Sequence, residues 1–203
     1  MSDTPQQNIY VVDDDDAMRD SMTWLLEGEG YRVACYASGA QFLAARHAGM
    51  RGCLVLDVRM PEMSGLELYE KLAALGSRLP VIFVTGHGDV PMAVAALQRG
   101  ACDFIEKPFH NEDLLSRIRR ALTLDEENCA RHARDSAIAQ RLEQLTQRER
   151  EVLDLVVAGK LNKQIADTLD ISMKTVEAHR ARVMDKMGVR TLAELVRAVM
   201  QLN

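Results

Sequence analysis

Residues 9–16 read IYVVDDDD and residues 53–57 read CLVLD, so twice in the first 60 positions a short apolar run ends abruptly in carboxylates. Three further apolar runs follow the same rhythm: Tyr31 to Tyr36, Val81 to Val84 and Ala101 to Ile105. Between the first two runs Met18, Met22, Leu25 and Leu26 fall at i, i+4, i+7 and i+8, the spacing of one buried helix stripe. Comparable stripes recur near Phe42, Leu66, Val94 and Leu114. Runs that are apolar on both faces and joined through helices imply a parallel sheet covered on each side, with right-handed crossovers. Residues 1–123 therefore read as a doubly wound (βα)5 domain.

Beyond it, residues 124–140 turn polar and lose apolar periodicity, with DEEN and ARHARD as the densest charge clusters. This is the expected linker. It holds no Gly or Pro, so a continuation of the preceding helix and a loose tether are both open. Residues 141–203 contain no strand-like run. Thr146 with Glu149, and Thr191 with Glu194, have capping-box spacing, and Asn162 and Ser172 are candidate N-caps for two helices between them. Gly159 and Gly188 supply stops, which leaves four short helices of helix-turn-helix type.

Composition narrows the function classes. The chain of 203 residues is 47% hydrophobic and 27% charged, which excludes disordered, collagen-like and disulfide-framework proteins. No apolar run approaches a membrane span and the polar start lacks signal-peptide regions, so a cytoplasmic protein without membrane contact is expected. Cys35, Cys53, Cys102 and Cys129 are too scattered for a zinc site. The net charge of −5 is uneven: residues 141–203 hold 11 Lys and Arg against 9 Asp and Glu, whereas residues 1–124 hold 12 against 17. A basic end on an acidic chain suggests nucleic-acid contact there, weakly.

Asp13 and Asp14 follow the first strand and Asp57 closes the third. In the strand order 2-1-3-4-5 these ends are neighbours at the switch point, where ligands bind. Three carboxylates brought together repel unless a cation intervenes, and hard oxygen donors suit Mg²⁺. Thr85 ends the fourth strand and Lys107 follows the fifth, adding a hydroxyl and an ammonium that can hold phosphoryl oxygens on Asp57. Alone, the four aspartates would equally well make a solvated helix start with Asp15 or Asp16 as N-cap. Four strand ends each carrying a group with its own role in phosphoryl chemistry favour an aspartyl-phosphate site.

These residues resemble a family. Asp13-Asp14, residues 56–61 (LDVRMP) with Gly65, Val84-Thr85-Gly86 and residues 104–108 (FIEKP) are similar to the receiver domain of two-component response regulators, a flavodoxin-like fold, over residues 8–123. Residues 85–94 and 103–109 resemble its FixJ subfamily. The resemblance implies phosphorylation of Asp57 by a histidine kinase, with Mg²⁺ held by Asp14, Asp57 and the Arg59 carbonyl and reached by Asp13 through water. It also implies a cis bond before Pro108, a switch in which Thr85 moves inward and Phe104 fills the vacated space, and a homodimer. The helix Val90 to Arg99 is then the dimer face, with Val94 and Gln98 as contacts, although plain packing explains such residues too.

In the tail, residues 145–151 (LTQRERE), Gly159, Asn162-Lys163, Ile165-Ala166 and Thr175 to His179 resemble the LuxR-type helix-turn-helix over residues 142–200. Asn162 to Leu169 is the expected scaffold helix and Met173 to Met187 the recognition helix. Lys174, Arg180, Arg182 and Lys186 would meet phosphates of double-stranded DNA, with Thr175, Glu177 and Ala178 near base edges. Glu177 can accept from a cytosine amino group, and His179 reads as structural or phosphate-contacting. The reading is a non-enzymatic transcription regulator that also meets RNA polymerase. Its rivals are a constitutive DNA-binding protein with an inert receiver and an aspartyl phosphotransferase. Haloacid-dehalogenase-type phosphatases of the second kind need an aspartate two residues after the nucleophile, where this chain has Arg59.

Overall fold

The computed structural model describes residues 8–200 apart from 48, 87–93, 96 and 99. It divides into two compact units, one up to Asn128 and one from Cys129 onward.

The first unit carries a parallel sheet of β1 (Asn8–Val12), β2 (Arg32–Tyr36), β3 (Gly52–Asp57), β4 (Val81–Thr85) and β5 (Asp103–Glu106), in the order β2-β1-β3-β4-β5. Alternation along the strands sorts side chains into two cores. Ile9, Val11, Cys53, Val55, Ile82 and Val84 join one cluster, while Tyr10, Val12, Leu54, Leu56, Val81 and Phe83 join the other. The first cluster is closed by Met22 and Leu26 of α1 (Asp16–Gly28) and by Leu114, Leu115 and Ile118 of α4 (Asn111–Glu143). The second is closed by Phe42 of α2 (Gly39–Ala45) and by Leu68 and Leu72 of α3 (Gly65–Ala74). Each large apolar side chain buried this way contributes roughly 1.5–3 kcal/mol. Both faces are thus covered, which is why β1, β3 and β4 read as continuous apolar runs. β5 begins two residues later than its apolar run, because Ala101 and Cys102 pack before the ladder starts.

Close approach fixes two glycines. Gly52 pairs with Asn8 at φ +123°, and a Cβ there would lie 1.7 Å from the Asn8 carbonyl oxygen. A Cβ on Gly65 would lie 2.1 Å from the Asp57 carbonyl oxygen, so the loop after β3 folds tightly back only with glycine at that point.

The expected linker lies inside α4, a single helix of 33 residues. Asp125, placed by its sequence context among solvated linker residues, is buried, where its carboxylate accepts from Arg51 Nε at 2.8 Å and from the Gly52 N–H at 3.1 Å. Of the expected dimer helix only parts are described: Val90 and Arg99 fall outside the described residues. Val94 is 41% exposed and Gln98 is exposed.

The second unit is helical: α5 (Gln147–Val157), α6 (Asn162–Leu169), α7 (Met173–Met187) and α8 (Leu192–Met200). Val152, Leu153, Val156, Ile165, Val176, Val183, Met187 and Leu195 form its core, with Ile138 and Leu142 of α4 packed against them. Thr146 and Glu149 form the expected capping box, and Ser172 caps α7 through the Thr175 N–H. Asn162 is not a cap. Leu161 occupies that position, the Gln164 side chain accepts its N–H at 3.0 Å, and the Asn162 amide oxygen instead accepts from Arg180 Nη1 at 2.9 Å. At α8 the Thr191 hydroxyl accepts the Glu194 N–H, but the Glu194 carboxylate reaches back one residue further, to the Arg190 N–H.

Candidate functional site

The carboxyl ends of β1, β3 and β4 and the residues following β5 bring Asp13, Asp57, Thr85 and Lys107 to one edge of the sheet. Asp13 is 2%, Asp57 7% and Thr85 0% exposed. Lys107 Nζ donates to Asp57 Oδ1 at 2.7 Å and to Asp13 Oδ2 at 3.0 Å. The other oxygen of Asp57 accepts the Arg59 N–H at 2.7 Å, and the other oxygen of Asp13 accepts the Asp15 N–H at 2.9 Å. The peptide bond from Lys107 to Pro108 is cis.

Two buried carboxylates share one ammonium, so the pocket carries one negative charge in excess. Burial pushes the Asp57 carboxyl above its ordinary range, against the hydrogen bond and charge of Lys107, with the Asp13 charge adding to the rise. Burial alone would pull Lys107 down, but its hydrogen bonds to Asp57 and Asp13, and then their charges, outweigh this and hold it above the usual lysine range.

The expected convergence of three carboxylates is not what the structure draws. Asp14 is exposed, and among the described residues no group of three or more His, Cys, Asp or Glu side chains stands close enough to hold a metal ion. The lysine lies between the two buried carboxylates instead. The donors present nevertheless suit a hard divalent cation, since Mg²⁺ is commonly bound through one or two carboxylates with waters completing its shell, and the excess negative charge favours one.

The Thr85 hydroxyl oxygen is buried and has no hydrogen-bond partner among the described residues. Such a group ordinarily has one, so it stands ready for an added acceptor. Phe104 pairs with Phe83 in the sheet register and packs half-buried against the second core. Sequence reasoning missed Arg19 and Asp125, both engaged with main-chain groups. A main-chain partner outside a helix cap leaves no trace in residue spacing.

The expected DNA-contacting residues separate into two sets. Lys174, Glu177, Ala178 and Arg182 are exposed and lie at i, i+3, i+4 and i+8 along α7, one outward stripe. The remaining three are engaged within the unit. Lys186 Nζ donates to the buried Glu149 carboxylate at 2.6 Å and to the Gln144 carbonyl at 3.1 Å; this hydrogen bond, then that from Thr146, pulls Glu149 down to about 2. Arg180 holds Asn162, and the Thr175 hydroxyl lies 2.8 Å from that of Ser172 in the cap of α7. His179 Nδ1 is buried without a partner among the described residues. No described helix is long and apolar enough to cross a membrane.

Residues 9–119 match the family described as response regulator receiver domain, and residues 143–199 match bacterial regulatory proteins of the luxR family. The chain is 47% identical over 195 residues to the response regulator protein TmoT of Ectopseudomonas mendocina, covering 96% of this chain and 89% of that protein. It is 48% identical over 189 residues to the transcriptional regulatory protein FixJ of Azorhizobium caulinodans, covering 93% and 90%. Among solved structures, response regulator StyR aligns with a TM-score of 0.81 at 43% identity, over 97% of this chain and 99% of that one.

Proposed function

The chain belongs to the response regulators that join a receiver domain to a LuxR-type DNA-binding domain and regulate transcription by phosphorylation, and we propose that Asp57 is its phosphoacceptor. The observation that carries this reading is the Asp57–Lys107 pair beside a buried Thr85 hydroxyl that has no partner among the described residues. A carboxylate oxygen of Asp57 attacks phosphorus, the bond from phosphorus to the histidine nitrogen of the kinase breaks, and an acyl phosphate remains. Lys107 neutralises charge on the transferring oxygens, and the Thr85 hydroxyl donates to one of them once it is in place. Asp14, Asp57 and the Arg59 carbonyl would hold Mg²⁺, with Asp13 reaching it through water. When bound, the cation supplies further neutralisation of the phosphoryl charge.

The phosphoryl group brings roughly −1.5 to −2 charges and strong acceptors, enough to draw Thr85 inward and let Phe104 follow. The face with Val94 and Gln98 then pairs two receivers into a homodimer. Two DNA-binding units so joined meet a twofold operator with the second contact effectively intramolecular. Lys174 and Arg182 contact phosphates and Glu177 and Ala178 face base edges, while Arg180, Thr175 and Lys186 hold the recognition helix in shape. The site of action is cytoplasmic DNA, with RNA polymerase as the recipient of the signal.

Incubation with a small acyl phosphate and Mg²⁺ is expected to label wild type and leave Asp57→Asn unlabelled; equal labelling would overturn the assignment. Phosphorylated wild type should sediment as a dimer and bind operator more tightly. Identical mass and affinity in both forms would remove the switch.

A further inference from the structure

The run of four aspartates does not repeat one role four times. Asp13 is buried in the pocket, Asp14 is exposed, and Asp15 caps α1 through the Ala17 N–H at 2.9 Å. Asp16, itself out in solvent, accepts from Nη2 of Arg19. The other terminal nitrogen of that guanidinium, Nη1, donates to the main-chain oxygen of Asp13 at 2.5 Å, and the Arg19 side chain is only 14% exposed. An exposed ion pair three residues apart on a helix would contribute little. Here one prong of the fork lies on the backbone of a pocket residue, and the arginine is nearly covered.

We infer that Arg19 is a positioning residue for the acidic pocket, fixing the turn between β1 and α1 so that Asp13 and Asp14 are presented to a divalent cation. This rests on the proposed reading of those two carboxylates. The Asp13 carbonyl and the Asp14 N–H belong to one planar peptide unit, so holding the oxygen holds the plane from which the Asp14 side chain departs. On the other side of the same residue, the Asp13 carboxylate is tied by the Asp15 N–H at 2.9 Å and by Lys107 at 3.0 Å. Asp13 is therefore gripped at both its main chain and its side chain; the Tyr36 carbonyl accepts its N–H at 3.3 Å, and Arg19 supplies the grip on its carbonyl, the side shared with Asp14. Asp16 completes the device by orienting the guanidinium plane across the turn. Arginine suits the task because its rigid fork serves two acceptors in fixed directions, whereas lysine presents a point charge on a flexible stem. Partners that orient the ligands of a metal, without touching it, commonly set affinity by about 10- to 100-fold.

Two effects of Arg19 are separable: its geometry and its positive charge beside a pocket with excess negative charge. Arg19→Lys keeps the charge and removes the fork. Calorimetric titration of full-length protein with Mg²⁺ is expected to show the dissociation constant raised about tenfold or more in Arg19→Lys, with thermal unfolding in the absence of Mg²⁺ close to wild type. Labelling by a small acyl phosphate should be slow at low Mg²⁺ and return to the wild-type plateau rate when Mg²⁺ saturates. Asp16→Asn, a change at an exposed position, should move the dissociation constant the same way by a smaller factor, and serves if the lysine variant folds poorly. Wild-type affinity in both variants overturns the inference. So does a plateau rate that stays low at saturating Mg²⁺, because Arg19 would then act on transfer itself. Asp14→Ala separates the premise from the inference: if it binds Mg²⁺ as wild type does, or if wild type binds none, the metal reading fails as well. If Asp14→Ala binds weakly while Arg19→Lys binds normally, the role of Arg19 alone is refuted.

Discussion

Replacing Asp57 with asparagine should stabilise the receiver while abolishing its phosphorylation. In the wild type, Asp13 and Asp57 are both buried and share the ammonium of Lys107. Removing the Asp57 charge leaves Asp13 and Lys107 as a neutral pair at 3.0 Å. An incompletely compensated buried charge costs about 3 kcal/mol, at the low end of what breaking a buried pair costs. Against that relief stands a lost acceptor. Asp57 accepts from Lys107 and from the Arg59 N–H, and the single carbonyl oxygen of asparagine can keep only one of them, a loss of about 2 kcal/mol for a hydrogen bond to a charged partner. The balance is about 1 kcal/mol in favour of the variant, or a Tm rise of roughly 3–5 °C for a domain of this size.

The sign with pH follows from the raised pKa of Asp57. A carboxyl held above its ordinary 3.8 in the folded state contributes stability that is fully present below that value and lost as pH rises through the higher folded value. The advantage of Asp57→Asn should therefore be small near pH 4 and full at pH 7. Differential scanning calorimetry on the full-length chain without Mg²⁺ reads it, with the transition of the helical unit as internal reference. A variant less stable than wild type at pH 7, or an equal shift at both pH values, would refute the reasoning. Saturating Mg²⁺ should narrow the difference, because a cation stabilises only the form that binds it.

Glu149→Gln should flatten the acid limb of the helical unit. Glu149 sits at about 2 when folded, so its contribution is present above the ordinary 4.5 and lost as pH falls toward 2, which pH-dependent circular dichroism of that unit's unfolding will show. Arg182→Ala should lower the dependence of log affinity for DNA on log salt by about one phosphate contact; Lys186→Ala should leave that slope unchanged but destabilise the unit, since it strands the buried Glu149. Salt titrations of operator binding beside thermal melts separate the two. Gly52→Ala combines φ +123° with a Cβ 1.7 Å from the Asn8 oxygen, and should cost more than about 4 kcal/mol and leave the receiver unfolded by amide exchange.

Much of this was readable one segment at a time. Unbroken apolar runs along 9–12, 53–56 and 81–84 report strands buried on both faces, and a period near 3.6 along Met18 to Leu26 reports one buried helix stripe, because burial on a strand or helix follows its geometry. Caps are equally local: Thr146 with Glu149 and Ser172 with Thr175 lie three residues apart, and their hydrogen bonds follow from the first helical turn. Asp13, Asp57 and Lys107 share an edge because strand ends in a doubly wound sheet do so, a rule of topology, but the same rule did not show that Asp14 is exposed. Asn162 misled because asparagine suits a cap in isolation, and the pull of Arg180, 18 positions away, is invisible in the segment.

The amino-acid sequence by itself determined the two-part architecture and the residue types at the acidic edge, since these rest on local periodicity and on chain-connection rules, whereas the strand order, assumed with the doubly wound class, is fixed by the pairing of β1 with both β2 and β3. Tertiary structure alone decided which charges are engaged and which are free to act. Lys186 and Arg182 are alike in composition and neighbours on one helix. The rotation of that helix against its own core turns the first toward Glu149 and the second toward solvent. Likewise Asp13, Asp14 and Asp16 are identical letters, and only the path of the turn buries one, exposes the next and gives the last to Arg19. The physical reason is the same in each case: an ionic partner is chosen by distance and burial after the chain has closed, and neither quantity is encoded in the order of residues around it.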